Sequence, residues 1–259
     1  MKTFLSFGVF VAIVYVGLCA ALFFFQRSLI YYPQRRPHGD ASATLPLSVD
    51  GAELVISVRA HEGPNAIVYF GGNGESVTYN LPSFSDAFPE HALYLMNYRG
   101  YGGSSGTPNE ADIAQDALAL FDYVHARHPN VIVMGRSLGS GVAIRLASLR
   151  PAARLVLITP FASIVELGAS QFPMFPVKWL IRDRYESWRY APLIDVPTLL
   201  VVAERDEIIP RASTDDLYAR FQPGIATLRV IPATGHNSIS ATPMYVATLQ
   251  TALAQNSEQ

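Results

Sequence analysis

The sequence predicts an α/β fold, a mostly parallel sheet with helices packed on its faces. Two observations carry this. Short, continuous apolar runs recur along the chain: Leu54-Val55-Ile56-Ser57-Val58, Ala66-Ile67-Val68-Tyr69-Phe70, Ala92-Leu93-Tyr94-Leu95-Met96, Val131-Ile132-Val133-Met134, Leu155-Val156-Leu157-Ile158, Thr198-Leu199-Leu200-Val201-Val202 and Leu228-Arg229-Val230-Ile231. Strands covered on both sides read this way, because neither face is left to solvent. Segments of helical spacing lie between several of them, as parallel strands require for their crossovers. One run alone would equally suit a fragment of buried helix. The repeated alternation decides.

The 259 residues suit one large domain or two small ones. Half are hydrophobic and 15% are charged, an apolar balance that directs attention to a membrane segment. Net charge is −2 with no long run of either sign, which excludes a nucleic-acid footprint. One cysteine excludes a disulfide framework and a cysteine metal cluster.

The first element, residues 4–25, carries no charge and is almost wholly apolar. At helical rise it covers about 33 Å, enough for the hydrocarbon core of a bilayer. A cleaved signal peptide has a shorter apolar region closed by small residues. Here Leu22-Phe23-Phe24-Phe25 continues past Ala20-Ala21, and the bulky Leu18 before Cys19 suits lipoprotein processing poorly. The expectation is an uncleaved single-pass anchor. Lys2 precedes it while Arg27, Arg35 and Arg36 follow, a bias that leans towards a cytoplasmic catalytic domain. Tyr31 and Tyr32 fall where aromatic rings favour the headgroup level.

Residues 26–46, rich in proline and polar side chains, read as a connector. The domain proper is expected over residues 47–255, opening with a turn at Asp50-Gly51. Residues 110–128 form a helix with Ile113, Ala117, Leu120, Phe121 and Val124 on one face, Asn109 as N-cap and Pro129 as stop. A last helix spans about 243–254. Residues 161–197 separate two strands by more than a simple crossover needs. They hold Trp179 and Trp188 with Phe161, Phe172, Met174 and Phe175, and read either as a small cap with an apolar inner face or as an ordinary packed helix.

The chemistry starts at Gly135-Arg136-Ser137-Leu138-Gly139, which follows a strand and opens a helix. It matches G-x-S-x-G, the nucleophile elbow, where only small neighbours fit around a strained serine. A serine hydroxyl needs a histidine to take its proton and a carboxylate to orient that histidine. Asp206 lies in the loop after the run at 198–202, with Glu204 and Glu207 as alternative acids. His236 lies in the loop after the run at 228–231. His38, His61, His91, His125 and His128 all precede the elbow. Ser137, Asp206 and His236 stand in the chain order of α/β-hydrolases. For the developing oxyanion, one donor is the backbone N–H of Leu138. The other comes from Gly71-Gly72-Asn73-Gly74, with Asn73 preferred and Gly72 one residue away. No Walker-type lysine follows that loop, so a phosphate cradle fits poorly.

These residues resemble the membrane-anchored α/β-hydrolases related to the protein depalmitoylases and the bud-emergence type hydrolases. The matching stretches are LIYYP, VYFGGNGES, NYRGYGGSSGTPNE, GRSLGSGVA, PLIDVPTLLVVAERDEIIP and TGHNSI, which span about residues 29–240. The resemblance implies Ser137, Asp206 and His236 as the triad. Relatives commonly carry histidine where Gly71 stands, which puts the packing of that loop in question.

The sequence thus predicts an α/β-hydrolase fold with a small cap and an N-terminal transmembrane helix. The expected activity is cleavage of a carboxylic ester or thioester through an acyl-enzyme, on a small-molecule or lipid-like acyl substrate, with no metal or organic cofactor. Two rivals are a serine aminopeptidase, with Asp183 or Glu186 receiving the substrate amine, and an inactive membrane-tethered scaffold.

Overall fold

The computed structural model describes residues 2–36 and 42–254. His38 and residue 255, the expected end of the domain, lie outside them. The chain opens with one long apolar helix, α1 (Lys2–Ile30). A hairpin of β1 (Thr44–Val49) and β2 (Ala52–Arg59) follows, then β3 (Asn65–Phe70), α2 (Leu81–Ala87), β4 (Ala92–Met96) and α3 (Glu110–His125). Next come β5 (Asn130–Arg136), α4 (Leu138–Ala147) and β6 (Arg154–Ile158). Two short helices, α5 (Ile164–Gln171) and α6 (Val177–Leu180), stand before β7 (Thr198–Ala203). The chain ends with α7 (Arg211–Ala219), β8 (Ala226–Ile231) and α8 (Pro243–Ala254).

The eight strands form one sheet in the order β1-β2-β4-β3-β5-β6-β7-β8. Pairing is antiparallel at β1/β2 and β2/β4 and parallel elsewhere. This is the α/β-hydrolase fold. Each central strand feeds two core layers, as its continuous apolar sequence requires. Val68, Val133 and Leu157 point to the α3/α4 side, while Tyr69, Met134 and Val156 point to the α2/α8 side.

Three boundaries differ from the sequence expectation. α1 does not stop at Phe25 but continues to Ile30, because Gln26 and Arg27 find partners in the chain. The Gln26 amide donates to the Leu180 carbonyl at 3.0 Å, and its oxygen accepts from the Arg182 N–H at 2.6 Å. The helix ends just ahead of Pro33, which cannot continue it. β1 begins at Thr44, inside the expected connector. Its half-buried Leu45 and Leu47 alternate with exposed residues, and Pro46 is tolerated because the strand lies at the sheet edge. α3 stops at His125, since His128 turns inward to Tyr94 Oη and the Gly63 carbonyl. Its start is as expected: the Asn109 side chain accepts from the Asp112 N–H at 3.0 Å.

β3, β5, β7 and β8 run parallel, so the loops that follow them emerge at one edge of the sheet. That edge is where open α/β sheets hold their sites.

Candidate active site

Ser137 sits between β5 and α4 with φ 50° and ψ −117°. Such a backbone costs about 1–3 kcal/mol and survives only where its surroundings hold it. Here the Ser137 N–H donates to the Ile158 carbonyl at 2.8 Å. The Ser137 carbonyl accepts from the Ser140 N–H and hydroxyl at 2.9 and 2.6 Å. The flanking glycines are needed for space. A Cβ on Gly139 would run into the Phe70 carbonyl and lie 2.7 Å from the Gly71 oxygen; one on Gly135 would lie 2.7 Å from the Ala143 methyl. α4 can therefore start against the end of β3, which brings the glycine loop beside the serine.

The structure brings Ser137, Asp206 and His236 into one hydrogen-bonded line. His236 Nε2 is 3.0 Å from Ser137 Oγ. His236 Nδ1 is 3.0 and 2.9 Å from the two Asp206 oxygens. Both side chains are nearly sealed from water, with 7% and 5% exposure for His236 and Asp206. Asp206 Oδ1 also accepts from the Ile208 and Ile209 N–H groups at 3.0 and 2.7 Å. Burial pushes this carboxyl up. The bond to His236 and the two backbone donors outweigh it and hold the group below the usual carboxylate range. Neither alternative acid reaches the imidazole: Glu204 accepts from the Ala233 N–H, and Glu207 accepts from the His236 backbone N–H at 3.0 Å. Glu207 thus fastens the histidine loop from behind.

The loop after β3 lies against Ser137, since a Cβ on Gly72 would be 3.7 Å from Ser137 Cβ. The Gly72 N–H is already engaged by Glu75 Oε2 at 2.7 Å. Asn73 and Leu138 both line the cleft beside Ser137 and His236. Leu138 opens α4, where the first N–H groups have no partner within the helix. The Asn73 peptide is clamped from behind. Its carbonyl accepts from the Tyr32 N–H at 3.0 Å and from Tyr101 Oη at 2.7 Å, and its side-chain amide donates to the Ile30 carbonyl at 3.0 Å. Tyr98 Oη donates to the Gly71 carbonyl at 2.8 Å. Burial first, then the neighbouring Tyr185 and Glu75, push the Tyr98 hydroxyl well up, so it stays a neutral donor. Gly71 suits the space it occupies, as a Cβ there would sit 2.6 Å from Val77 Cγ1.

Sequence reasoning missed a buried ion pair beneath the site. Arg136 Nη1 lies 3.4 Å from Glu75 Oε2, and Arg136 Nη2 donates to the His236 carbonyl at 3.1 Å. Glu75 Oε1 accepts from Tyr69 Oη at 2.7 Å. One pair therefore ties the glycine loop, the elbow and the histidine loop together. The available signal was a charged residue inside each of two glycine-rich motifs, Glu75 and Arg136, where bulk and charge need a partner.

A cavity of about 650 Å³ opens above Ser137. Its walls include Leu22 and Leu29 of α1 and Ile164, Leu167, Phe172 and Phe175 from the segment between β6 and β7. α1 as a wall of the site was not foreseen. Asp183 and Glu186 do not line this cavity: Asp183 is buried against Arg27 at 3.0 Å, and Glu186 bridges Arg184 and Arg189. Among the described residues no group of three His, Cys, Asp or Glu side chains is arranged to hold a metal ion.

Residues 66–190 match the family model described as serine aminopeptidase, S33. An uncharacterised protein of Mycobacterium tuberculosis, MT2364, is 32% identical over 247 residues, covering 88% of this chain and 86% of that protein. Protein bem46 of Schizosaccharomyces pombe is 26% identical over 217 residues, covering 78% of this chain and 72% of its own. Among solved structures, the Pyrococcus furiosus esterase Pf2001 superposes with a TM-score of 0.69 at 16% identity, over 87% of this chain and 97% of the esterase. With the nucleophile-elbow geometry, the mostly parallel sheet and these relatives in hand, the chain is a hydrolase and belongs to the α/β-hydrolase family that includes bem46.

Proposed function

We propose that the protein is a membrane-anchored serine hydrolase that cleaves carboxylic esters or thioesters of apolar acyl groups. The observation that carries this is His236, held with one nitrogen on Asp206 and the other 3.0 Å from Ser137 Oγ. In this reading Ser137 Oγ attacks the acyl carbon while its proton passes to His236 Nε2. The carbonyl oxygen takes up the negative charge and accepts from the Leu138 and Asn73 N–H groups. As the carbonyl reforms, the bond to the leaving oxygen or sulfur breaks and that atom takes the proton from His236. Water then gives a proton to His236 and attacks the acyl-serine. The acid leaves and Ser137 recovers its proton. Asp206 stays ionised throughout and fixes the imidazole tautomer.

The apolar walls of the cavity favour an acyl chain over a charged amine. The aminopeptidase reading lacks support from Asp183 and Glu186, both already paired with arginines away from the cavity. Membrane anchoring is supported by the length and apolar character of α1, none of whose most apolar stretch is buried in the domain. Residues 161–197 act as the cap in this reading, with the domain proper over 47–255.

Fluorophosphonate labelling of the detergent-solubilised protein tests the proposal. Wild type should label, and Ser137→Ala and His236→Ala should not. An unlabelled wild type, or equal labelling of Ser137→Ala, would point to a scaffold that has lost the chemistry.

A further inference from the structure

α1 touches the domain at two levels. Tyr15 Oη donates to the Met174 carbonyl at 2.8 Å, and the Tyr15 ring stacks on Phe175 at 5.8 Å between centroids. At the other end, Arg27 pairs with Asp183, and the Arg182 guanidinium lies 5.7 Å from the centre of the Phe23 ring. These two levels are about 18 Å apart along the helix axis. Ahead of Tyr15, residues 4–14 of α1 cover about 16 Å, roughly half the thickness of a hydrocarbon core. A helix that crosses the bilayer must therefore carry its docked neighbour some way in with it.

The docked neighbour is suited to this. Residues 172–181 read Phe-Pro-Met-Phe-Pro-Val-Lys-Trp-Leu-Ile, with one charge in ten positions. Trp179 is 87% exposed and Met174 81% exposed, and Phe172 is exposed beside them. Neither Trp179 nor Met174 lines the cavity, so neither is spoken for by the site. Lys178 has a stem long enough to reach the headgroups. Arg27, Arg182 and Asp183 mark the level where charge resumes.

We propose that the cap tip, residues 172–181, is sunk beside α1 into the acyl layer of the leaflet that carries the catalytic domain. This rests on the anchor reading of α1. The mouth of the cavity, between Leu22 of α1 and Phe172 and Phe175 of the cap, then opens to lipid. An acyl chain reaches Ser137 without crossing water.

Trp179 reports on this directly, because the chain has two tryptophans. The full-length Trp188→Phe protein, with Trp179 as its one indole, is reconstituted into phosphatidylcholine vesicles brominated in mid acyl chain. The expected result is co-flotation with the vesicles, loss of most Trp179 emission to the bromines and protection from aqueous acrylamide. The Trp179→Phe protein, reporting through Trp188, should float equally and keep its emission. Flotation with an unquenched, acrylamide-accessible Trp179 overturns the inserted cap and leaves the anchor standing. Failure to float overturns both. As a second measurement, Trp179→Lys should slow hydrolysis of a long-chain ester held in vesicles while leaving a water-soluble acetyl ester unaffected. Equal rates on the vesicle substrate would count against insertion.

Discussion

The Asn73 side-chain amide donates to the Ile30 carbonyl at 3.0 Å, joining the glycine loop to the last turn of the N-terminal helix. Asn73→Ala keeps the backbone N–H proposed as an oxyanion donor and removes the bond that aims it. The expected result is a fall in kcat of about tenfold with KM within about twofold, because the lost interaction acts on the transition state and not on ground-state binding. Steady-state kinetics on a soluble ester, with thermal melts to confirm folding, check this. A change confined to KM would sink it.

Glu75 and Arg136 are both mostly buried and share the burden of three loops. Burial disfavours the Arg136 charge, yet Glu75 outweighs it and keeps the guanidinium protonated. Glu75→Ala strands that charge and frees the Gly72 N–H and Tyr69 hydroxyl, so stability should drop by about 3 kcal/mol. The double replacement Glu75→Leu with Arg136→Met should melt closer to wild type than Glu75→Ala does, while remaining slow. Melting curves of the three proteins in one detergent decide the matter.

Asp206 has a depressed folded-state pKa, so its contribution to stability is complete above the ordinary carboxylate value near 3.9 and is lost as pH falls through the lower folded value. Asp206→Asn should therefore show a shallower loss of melting temperature below about pH 4 than wild type. At neutral pH it should lose about 10⁴ in kcat, since an amide cannot hold the imidazole in the working tautomer. Melts and rates across pH test both halves.

Gly139→Ala should cost about 3 kcal/mol, because the added methyl meets the carbonyls of Phe70 and Gly71, which are main chain and cannot swing aside. Expression yield and melting temperature measure it.

Phe172→Ala with Phe175→Ala should lower kcat/KM for long acyl esters by more than tenfold and for acetyl esters by less than about threefold, because an acetyl group leaves those walls untouched. Equal losses on both substrates would remove the acyl-pocket reading.

The sheet was legible because its strands are buried on both sides and leave uninterrupted apolar runs. β1 was not, because an edge strand with one half-covered face is short, alternating and interrupted by Pro46. The positions of Ser137, Asp206 and His236 were legible because each follows a readable strand. Glu75 and Arg136 escaped notice because a buried pair is a relation between two distant residues, and neither declares its partner locally. That the chain opens with a long apolar helix was readable from composition, but its last turn and its attachment were not. Gln26, Arg27 and Tyr15 are ordinary residues until the cap is placed against them.

The clasp between α1 and the Asn73 loop also bears on how the protein can be cut. The helix supplies cavity wall at Leu22 and Leu29 and, with Tyr32 just beyond its end, steadies the glycine loop through Ile30. A protease that trimmed the chain between α1 and β1 would leave the domain with an open trough in place of a pocket. If α1 is the anchor proposed above, shedding from the membrane and loss of activity would be one event.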